Sequence, residues 1–376
     1  MKKLFILAAV ALVAGVACTK VEVVDNTPDK AITFQVANYR NQVTKAESIG
    51  TSNTFKVNSF VHTTLNGAAS TQQQMFDEVV AWDATEKQWL PSRTYFWPKT
   101  GYVNFFAYAD LNASAPVYPT ATEENKITYT EVDIANATDI LVADAAYAYT
   151  SNNNAEYKLD DTGVNGVPTL FHHTLAKVTF KVKLDATDAI PSDKYEWTVV
   201  VDESKFGFAN QGTAVFKFTE QSSMGHVAWN NYSSDKIFWT KTGDNSAAPQ
   251  ASTVIGDTNK MTATDSQKVS EVKTLFDEIS VLPQDLTATG AYGQVSLTYT
   301  IKSVYIEDAS DRSKDKVIEE TVTIPLTDLI TYVPSVTEWK MNTKYIYNIV
   351  IKPGEPIHFD PAVVEWESVT AADKVI

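Results

Sequence analysis

The sequence has a single cysteine, Cys18, among its 376 residues. One cysteine cannot form an internal disulfide framework, so the stability of the fold must come from the packing of its core. Basic residues are also scarce, with 31 Lys and Arg against 46 Asp and Glu and a net charge of -15. Nucleic-acid binding proteins need a basic face, so this charge balance argues against a nucleic-acid partner.

Long apolar runs are missing as well, apart from a short one near the start. Lys2 and Lys3 precede an apolar stretch over residues 4–13, and small residues lead to Cys18. This pattern is typical of a secretory signal, and the run is too short to span a bilayer. We therefore expect residues 1–17 to be a lipoprotein signal peptide, with Cys18 lipidated and anchored in membrane lipid. A plain signal peptide with an incidental cysteine is the alternative, and Gly15 stands where a lipoprotein usually has leucine.

Short alternating runs rich in Thr, Val, Tyr and Phe dominate the rest of the chain, separated by Asn, Asp, Gly, Ser and Pro. In the run from Ala176 to Leu184, apolar and polar residues alternate over its whole length. Such alternation predicts β-strands, and strands without interleaved helices predict β-sandwiches. Residues 268–276 are the one candidate for a short helix.

Polar stretches divide the sequence into two parts. We place a domain boundary near residue 168, which gives an N-terminal domain over 18–168 and a C-terminal domain over 169–376. Residues 222–268 are rich in Ser, Thr, Asn and Asp and indicate long loops or an insertion. Trp229 and Trp239 lie in this stretch and are the candidates for exposed, ligand-binding aromatics, with a core or loop-anchoring role as the alternative.

Sequence patterns of enzymes and metal sites are absent. The chain has no nucleophile elbow, no zinc-protease motif and no phosphate-binding glycine loop. His172 and His173 are adjacent, so on a strand they point to opposite faces and are poorly placed to bind one metal. We expect no enzyme activity, no metal and no cofactor, and we expect His173 to be hydrogen-bonded and partly buried.

An ordered set of short motifs resembles the fimbrillin-like lipoproteins of Bacteroidales, which are pilins and pilus-tip proteins. The resemblance spans nearly the whole mature chain and rests on the set rather than on any one motif. The motifs are Ile32-Thr33-Phe34, Thr44-Lys45-Ala46, Ala81-Trp82, Gln88-Trp89, Tyr95-Phe96-Trp97-Pro98, Gly101–Tyr108, Phe171–Val178, Val281–Gln284, Trp339–Tyr347 and Val364-Glu365-Trp366.

The resemblance implies two transthyretin-like β-sandwich domains in tandem. It also implies a precursor anchored in outer-membrane lipid through Cys18, which a trypsin-like surface protease cuts after a basic residue. The first strand is then lost, and a strand of another pilin subunit fills the vacated groove. Within this sequence, the groove fillers are Ile32, Phe34 and Val36, and the candidate cleavage residues are Arg40 and Lys45. Relatives carry Thr-Arg-Ala around the position of Lys45, so an arginine-specific protease would favour Arg40.

Two C-terminal segments have the alternation that a donor strand needs, residues 345–351 and residues 362–366, and the sequence does not choose between them. The function that the resemblance implies is a cell-surface pilus subunit, either structural or a tip adhesin. The alternative is a monomeric outer-membrane lipoprotein that binds a host glycan or protein. The stalk, tip and anchor roles stay open.

Overall fold

The computed structural model describes residues 31–37, 49–63, 72–111, 116–134, 139–149, 166–188, 194–209, 211–218, 226–230, 232, 236–239, 253–254, 261–263, 268–287, 293–306, 308, 310–325, 327–328, 336–353 and 358–365. Within them the secondary structure is almost entirely β, which confirms the predicted fold class. No helix in the described part is long and apolar enough to cross a membrane. The predicted helix over 268–276 is wrong, because a strand begins at Lys273.

Twenty-four strands follow one another in the described part of the chain. The first twelve are β1 (Phe34–Ala37), β2 (Thr54–His62), β3 (Gln72–Asp83), β4 (Gln88–Pro91), β5 (Tyr102–Asp110), β6 (Ala121–Glu123), β7 (Lys126–Asp133), β8 (Ile140–Ala143), β9 (Ala146–Tyr149), β10 (Val167–His173), β11 (Ala176–Leu184) and β12 (Tyr195–Ala209). The others are β13 (Gln211–Lys217), β14 (His226–Asn230), β15 (Lys236–Trp239), β16 (Thr253–Val254), β17 (Met261–Ala263), β18 (Lys273–Val281), β19 (Gln284–Asp285), β20 (Gly293–Tyr305), β21 (Lys316–Pro325), β22 (Glu338–Trp339), β23 (Thr343–Ile351) and β24 (His358–Glu365), with a 3-10 turn over Arg312–Lys314.

Four sheets of four or more strands contain most of these strands. The first has the order β2-β3-β4-β1-β10-β8-β5-β9, and an additional β2–β5 pairing closes it on itself. The second is β14-β13-β7-β6, the third is β18-β11-β23-β24, and the fourth is β15-β12-β20-β21 with β16 and β17 also paired to β12. Strands β19 and β22 form a separate pair.

Two apolar cores result. One fills the interior of the first sheet and contains Phe34, Phe55 and Phe105. The other begins on the opposite face of β5, at Phe106 and Tyr108, and continues through the other sheets to Ile351. Strand β5 is buried along nearly its whole length because its two faces serve different cores.

Sheet pairing does not divide cleanly at residue 168. Strand β10, which begins at Val167, pairs with β1 and β8 of the first sheet. Strand β7 pairs with β13, so one sheet joins strands from both sides of the predicted boundary. The all-β prediction is therefore confirmed, whereas the boundary near residue 168 stays a prediction.

Three β-bulges have the same local hydrogen-bond arrangement. At each bulge an acidic residue has a positive φ, and its backbone N–H donates to a side-chain oxygen on the partner strand, which compensates for the interrupted ladder. The three pairs are Asp77 (φ 47°) to Asn58 Oδ1 at 3.2 Å, Glu131 (φ 50°) to Thr213 Oγ1 at 3.2 Å and Glu278 (φ 48°) to Thr179 Oγ1 at 3.0 Å.

Candidate functional site

The first strand, β1, is enclosed between two strands rather than lying at an edge. It runs parallel to β10 over four residue pairs, from Phe34 opposite Val167 to Ala37 opposite Leu170. On its other side it pairs antiparallel with β4, through Phe34 opposite Trp89. Removal of β1 would therefore leave two strands with unpaired backbone groups that face each other across a groove. We call the space between β10 and β4 the first-strand groove.

Backbone hydrogen bonds extend this arrangement beyond the strand itself. The Val167 N–H donates to the Thr33 carbonyl at 2.8 Å, and the Ile32 N–H donates to the Tyr95 carbonyl at 2.8 Å. Ala31 forms an isolated antiparallel bridge with Phe96. The segment that precedes β1 is thus held by the residues that follow β4.

The predicted groove fillers lie against the core of the first sheet. Ile32 and Phe34 are each 1% exposed, and Val36 is partly buried against the same core. The Phe34 ring packs edge-to-face on Phe55 and Phe105, with ring centroids 5.9 Å and 5.6 Å apart. This aromatic geometry adds to the stabilisation that burial provides.

Gly166, which sequence inspection missed, lies at one end of the groove. A Cβ atom on this residue would lie 2.6 Å from the carbonyl carbon of Phe34 and 2.8 Å from its oxygen. Real Cβ atoms essentially never approach backbone atoms so closely. Only glycine fits here, because the backbones of β1 and the start of β10 are nearly in contact. The motif Gly-Val-Pro gave no signal of this role, since the partner of β10 is far away in sequence.

A buried carboxylate supports the segment after β4. Glu78 on β3 accepts hydrogen bonds from the Ser92 hydroxyl at 2.5 Å, the Tyr95 hydroxyl at 2.9 Å and the Arg93 backbone N–H at 3.2 Å. Burial alone raises the pKa of this carboxyl. The three hydrogen bonds and the nearby guanidinium together outweigh burial and hold the pKa of Glu78 below its ordinary value of 4.5. Glu78 thereby positions the Tyr95 carbonyl that receives the Ile32 N–H.

The two candidate donor segments occupy different places in the third sheet. Residues 345–351 belong to β23, which lies between β11 and β24 and pairs with β11 over nine residue pairs. Of the second segment, residues 362–365 lie in β24, which pairs with β23, and Trp366 lies outside the described residues. Among the described residues β24 has no second partner strand, so it is the edge of that sheet.

Other predicted site residues have mixed outcomes. Cys18, Arg40 and Lys45 lie outside the described residues. The expectation of an exposed aromatic is wrong for Trp229, which is 7% exposed and donates its indole N–H to the Thr174 carbonyl at 2.9 Å. Strand β14 pairs with β13 and so places Trp229 in the core, although the surrounding sequence is polar. Trp239 ends β15, opposite Phe206 of β12, and its side chain lies outside the described part.

The three histidines whose side chains the structure describes each pair with a carboxylate. His173 Nδ1 lies 2.6 Å from Asp139 Oδ1 in a buried pair, which confirms the predicted hydrogen bond and shows more complete burial than expected. His172 Nε2 lies 3.0 Å from Asp144 Oδ1, and His62 contacts Glu124. Where the structure describes the chain, no three His, Cys, Asp or Glu residues come together as a metal site.

Comparison with known proteins gives one family. A family model described as fimbrillin-like matches residues 37–366. No curated protein matches the sequence. Among solved structures, a fimbrial protein from Bacteroides vulgatus is 15% identical with a TM-score of 0.52, and the match covers 89% of this chain and 99% of that one. That likeness shows a shared fold. A fimbrilin from Porphyromonas gingivalis is 10% identical with a TM-score of 0.41, and the match covers 90% of this chain and 98% of that one.

Proposed function

Because this chain belongs to the fimbrillin-like family, we propose that it is a cell-surface pilus subunit, structural or a tip adhesin, that assembles by strand exchange. In this proposal a protease removes β1, and a strand of another pilin subunit enters the first-strand groove. The observation that carries it is the enclosure of β1 between β10 and β4, with Ile32 and Phe34 almost completely buried. An empty groove would expose two unpaired strand edges, which are templates for another strand.

The order of residues along the chain allows one proteolytic cut to remove both the lipid anchor and the first strand. Cys18, the proposed lipid attachment site, and the fillers Ile32, Phe34 and Val36 all precede Arg40 and Lys45. A trypsin-like surface protease that cuts after either basic residue would separate the lipid and the first strand from the rest of the subunit. Before the cut, the lipid holds the precursor at the outer membrane. After the cut, the subunit enters a cell-surface pilus.

The free energy of burial that is lost with β1 is large enough to drive strand exchange. Complete burial of a large apolar side chain contributes about 1.5–3 kcal/mol, so Ile32 and Phe34 together contribute about 3–6 kcal/mol. The net stability of a whole domain is about 5–15 kcal/mol. A subunit that has lost β1 therefore gains much of its former stability when another strand fills the groove.

We propose β24 rather than β23 as the donor. An edge strand leaves its sheet when one ladder breaks, and β24 pairs only with β23 among the described strands. Strand β23 would have to break ladders with both β11 and β24. Donation of β24 therefore disturbs the third sheet less.

Processing variants test the proposal. Arg40→Gln, Lys45→Gln and the double variant are expressed in the native cells, and the surface protein is run on gels without boiling. The proposal expects wild type to give ladders of stable multimers and the double variant to stay monomeric. The matched control is Lys56→Gln on β2, which should give normal ladders. Ladders of wild-type length from the double variant would contradict the proposal.

A further inference from the structure

Gln35 is an anomaly within the first strand. Its neighbours Ile32 and Phe34 belong to the core of the first sheet, and alternation along a strand turns Gln35 toward the opposite face. This face is also covered, because Gln35 is only 7% exposed. Its side-chain oxygen Oε1 is buried and has no hydrogen-bond partner. Strand β1 is thus buried on both faces and carries an unsatisfied polar group on one of them.

Strands that are buried on both faces usually have continuous apolar sequences. A buried carbonyl oxygen that receives no hydrogen bond loses its hydration without compensation. Gln35 therefore makes β1 bind the groove less tightly than a strand with an apolar residue at this position would.

The groove fixes where any occupant places its side chains. The contact between Gly166 and the Phe34 backbone sets the position of the strand, and the hydrogen bond from Val167 to Thr33 sets its register. Since side chains alternate with a period of two, every occupant in this register directs one side chain to the site of Gln35. We call this site the Gln35 pocket.

We infer that the Gln35 pocket selects the incoming strand, favouring a donor with apolar residues at three consecutive positions over the chain's own first strand. This inference rests on the proposed function and identifies its partner as the C-terminal strand of a second copy. Within β24 the run Ala362-Val363-Val364 has the required pattern. If two of these residues replace Phe34 and Val36, the one between them enters the Gln35 pocket. Strand β1 is then a replaceable occupant, and exchange runs toward the donor.

The first test needs no strand exchange. Gln35→Val in the uncut full-length chain removes the unsatisfied oxygen and should raise the ratio of folded to unfolded protein about tenfold, the change that corresponds to about 1.4 kcal/mol. Thr54→Val, at an exposed position of β2 in the same sheet, is the control and should change this ratio little. Denaturant unfolding measures both variants. An unchanged or lowered ratio for Gln35→Val would overturn the inference.

The second test uses the protease-cut protein and synthetic strands. A peptide of residues 31–37 and its Gln35→Val form compete with a labelled peptide of residues 358–366 for the cut protein. The inference expects the Gln35→Val peptide to compete about tenfold better than the native peptide. Equal competition would contradict the inference and leave strand exchange intact. If no peptide bound the cut protein, the proposed function would fail, and the unfolding comparison alone would decide whether Gln35 is a poor occupant.

Discussion

Single residues at the first-strand groove divide into those that the sequence predicts and those that it does not. Ile32 and Phe34 are predictable, because alternation alone marks them as one apolar face, and both are buried. Gly166 and Glu78 are not, because their roles depend on which distant strands lie beside them. The sequence left both an exposed and a core role open for Trp229, since its polar neighbours give no sign of the sheet that buries it.

Gly166→Ala tests the close approach of β1 and β10. The new Cβ would collide with the backbone of Phe34, and overpacking of this kind costs about 1–3 kcal/mol. We expect a loss of that size in the free energy of unfolding of the uncut chain, measured in denaturant. Gly50→Ala is the control, because the nearest atom to its Cβ would be a side-chain oxygen at 3.4 Å. Equal stability of the two variants would show that β1 does not lie where we describe it.

Glu78→Gln tests the support beneath the groove through its pH dependence. The pKa of Glu78 is lowered in the folded state, so its carboxylate stabilises the fold above about pH 4.5, the ordinary range of a glutamate. That stabilisation is lost as the pH falls through the lowered pKa. We expect the variant to be less stable than wild type at pH 7 and the difference to shrink in acid. The exposed residue Glu86 supplies the control, Glu86→Gln. A difference that stays constant from pH 7 to pH 3 would argue against this role.

Thr179→Val tests the hydrogen bond that crosses each of the three bulges. The substitution keeps the side-chain shape but removes the hydroxyl that accepts the Glu278 N–H. This bond is partly buried, and the loss of such a hydrogen bond costs about 0.5–1.5 kcal/mol, which we expect in the free energy of unfolding. Thr54→Val, at an exposed position on β2, should be nearly neutral. If both variants were neutral, the hydrogen bond to Thr179 would not be what holds the bulge.

At the scale of elements, alternation predicts most strands but neither their partners nor their bulges. The error at residues 268–276 shows why. Within that range Val269, Val272, Leu275 and Phe276 have the spacing of a helix face. In the structure Val269 and Val272 are exposed before the strand begins, and of the four only Leu275 and Phe276 are buried. The pairing of β1 with β10 was equally hidden, because parallel partners separated by more than a hundred residues leave no local signal.

Removal of β24 tests the choice of donor strand. A chain that ends at residue 357 keeps the first-strand groove but lacks the proposed donor. After protease cutting, the shortened chain should accept a strand from a wild-type subunit but donate none. In mixtures with wild type, the fibres should therefore become shorter as the fraction of the shortened chain increases. Electron microscopy of the fibres measures their length. The control is a chain that lacks only residues 367–376 and should polymerise normally. Fibres of full length with the shorter chain would favour β23 as donor.

At the scale of the whole molecule, the larger core connects the two parts that the sequence separates. It runs from Phe60 to Ile351, and the β7–β13 ladder joins strands on either side of residue 168. A sequence-based boundary at a polar stretch cannot detect such a ladder, because strand pairing is not local. The smaller core, which contains Phe34, encloses the first-strand groove. Loss of β1 would therefore remove buried residues mainly from the smaller core and would leave the larger core intact.

The central claim is that assembled subunits have lost their first strand. Mass spectrometry of the N-terminal peptide from fibres isolated from the cell surface tests it most directly. We expect subunits in fibres to begin after Arg40 or Lys45 and to carry no lipid, whereas the precursor begins at a lipidated Cys18. Fibres whose subunits still begin at Cys18 and retain Ile32 and Phe34 would contradict it.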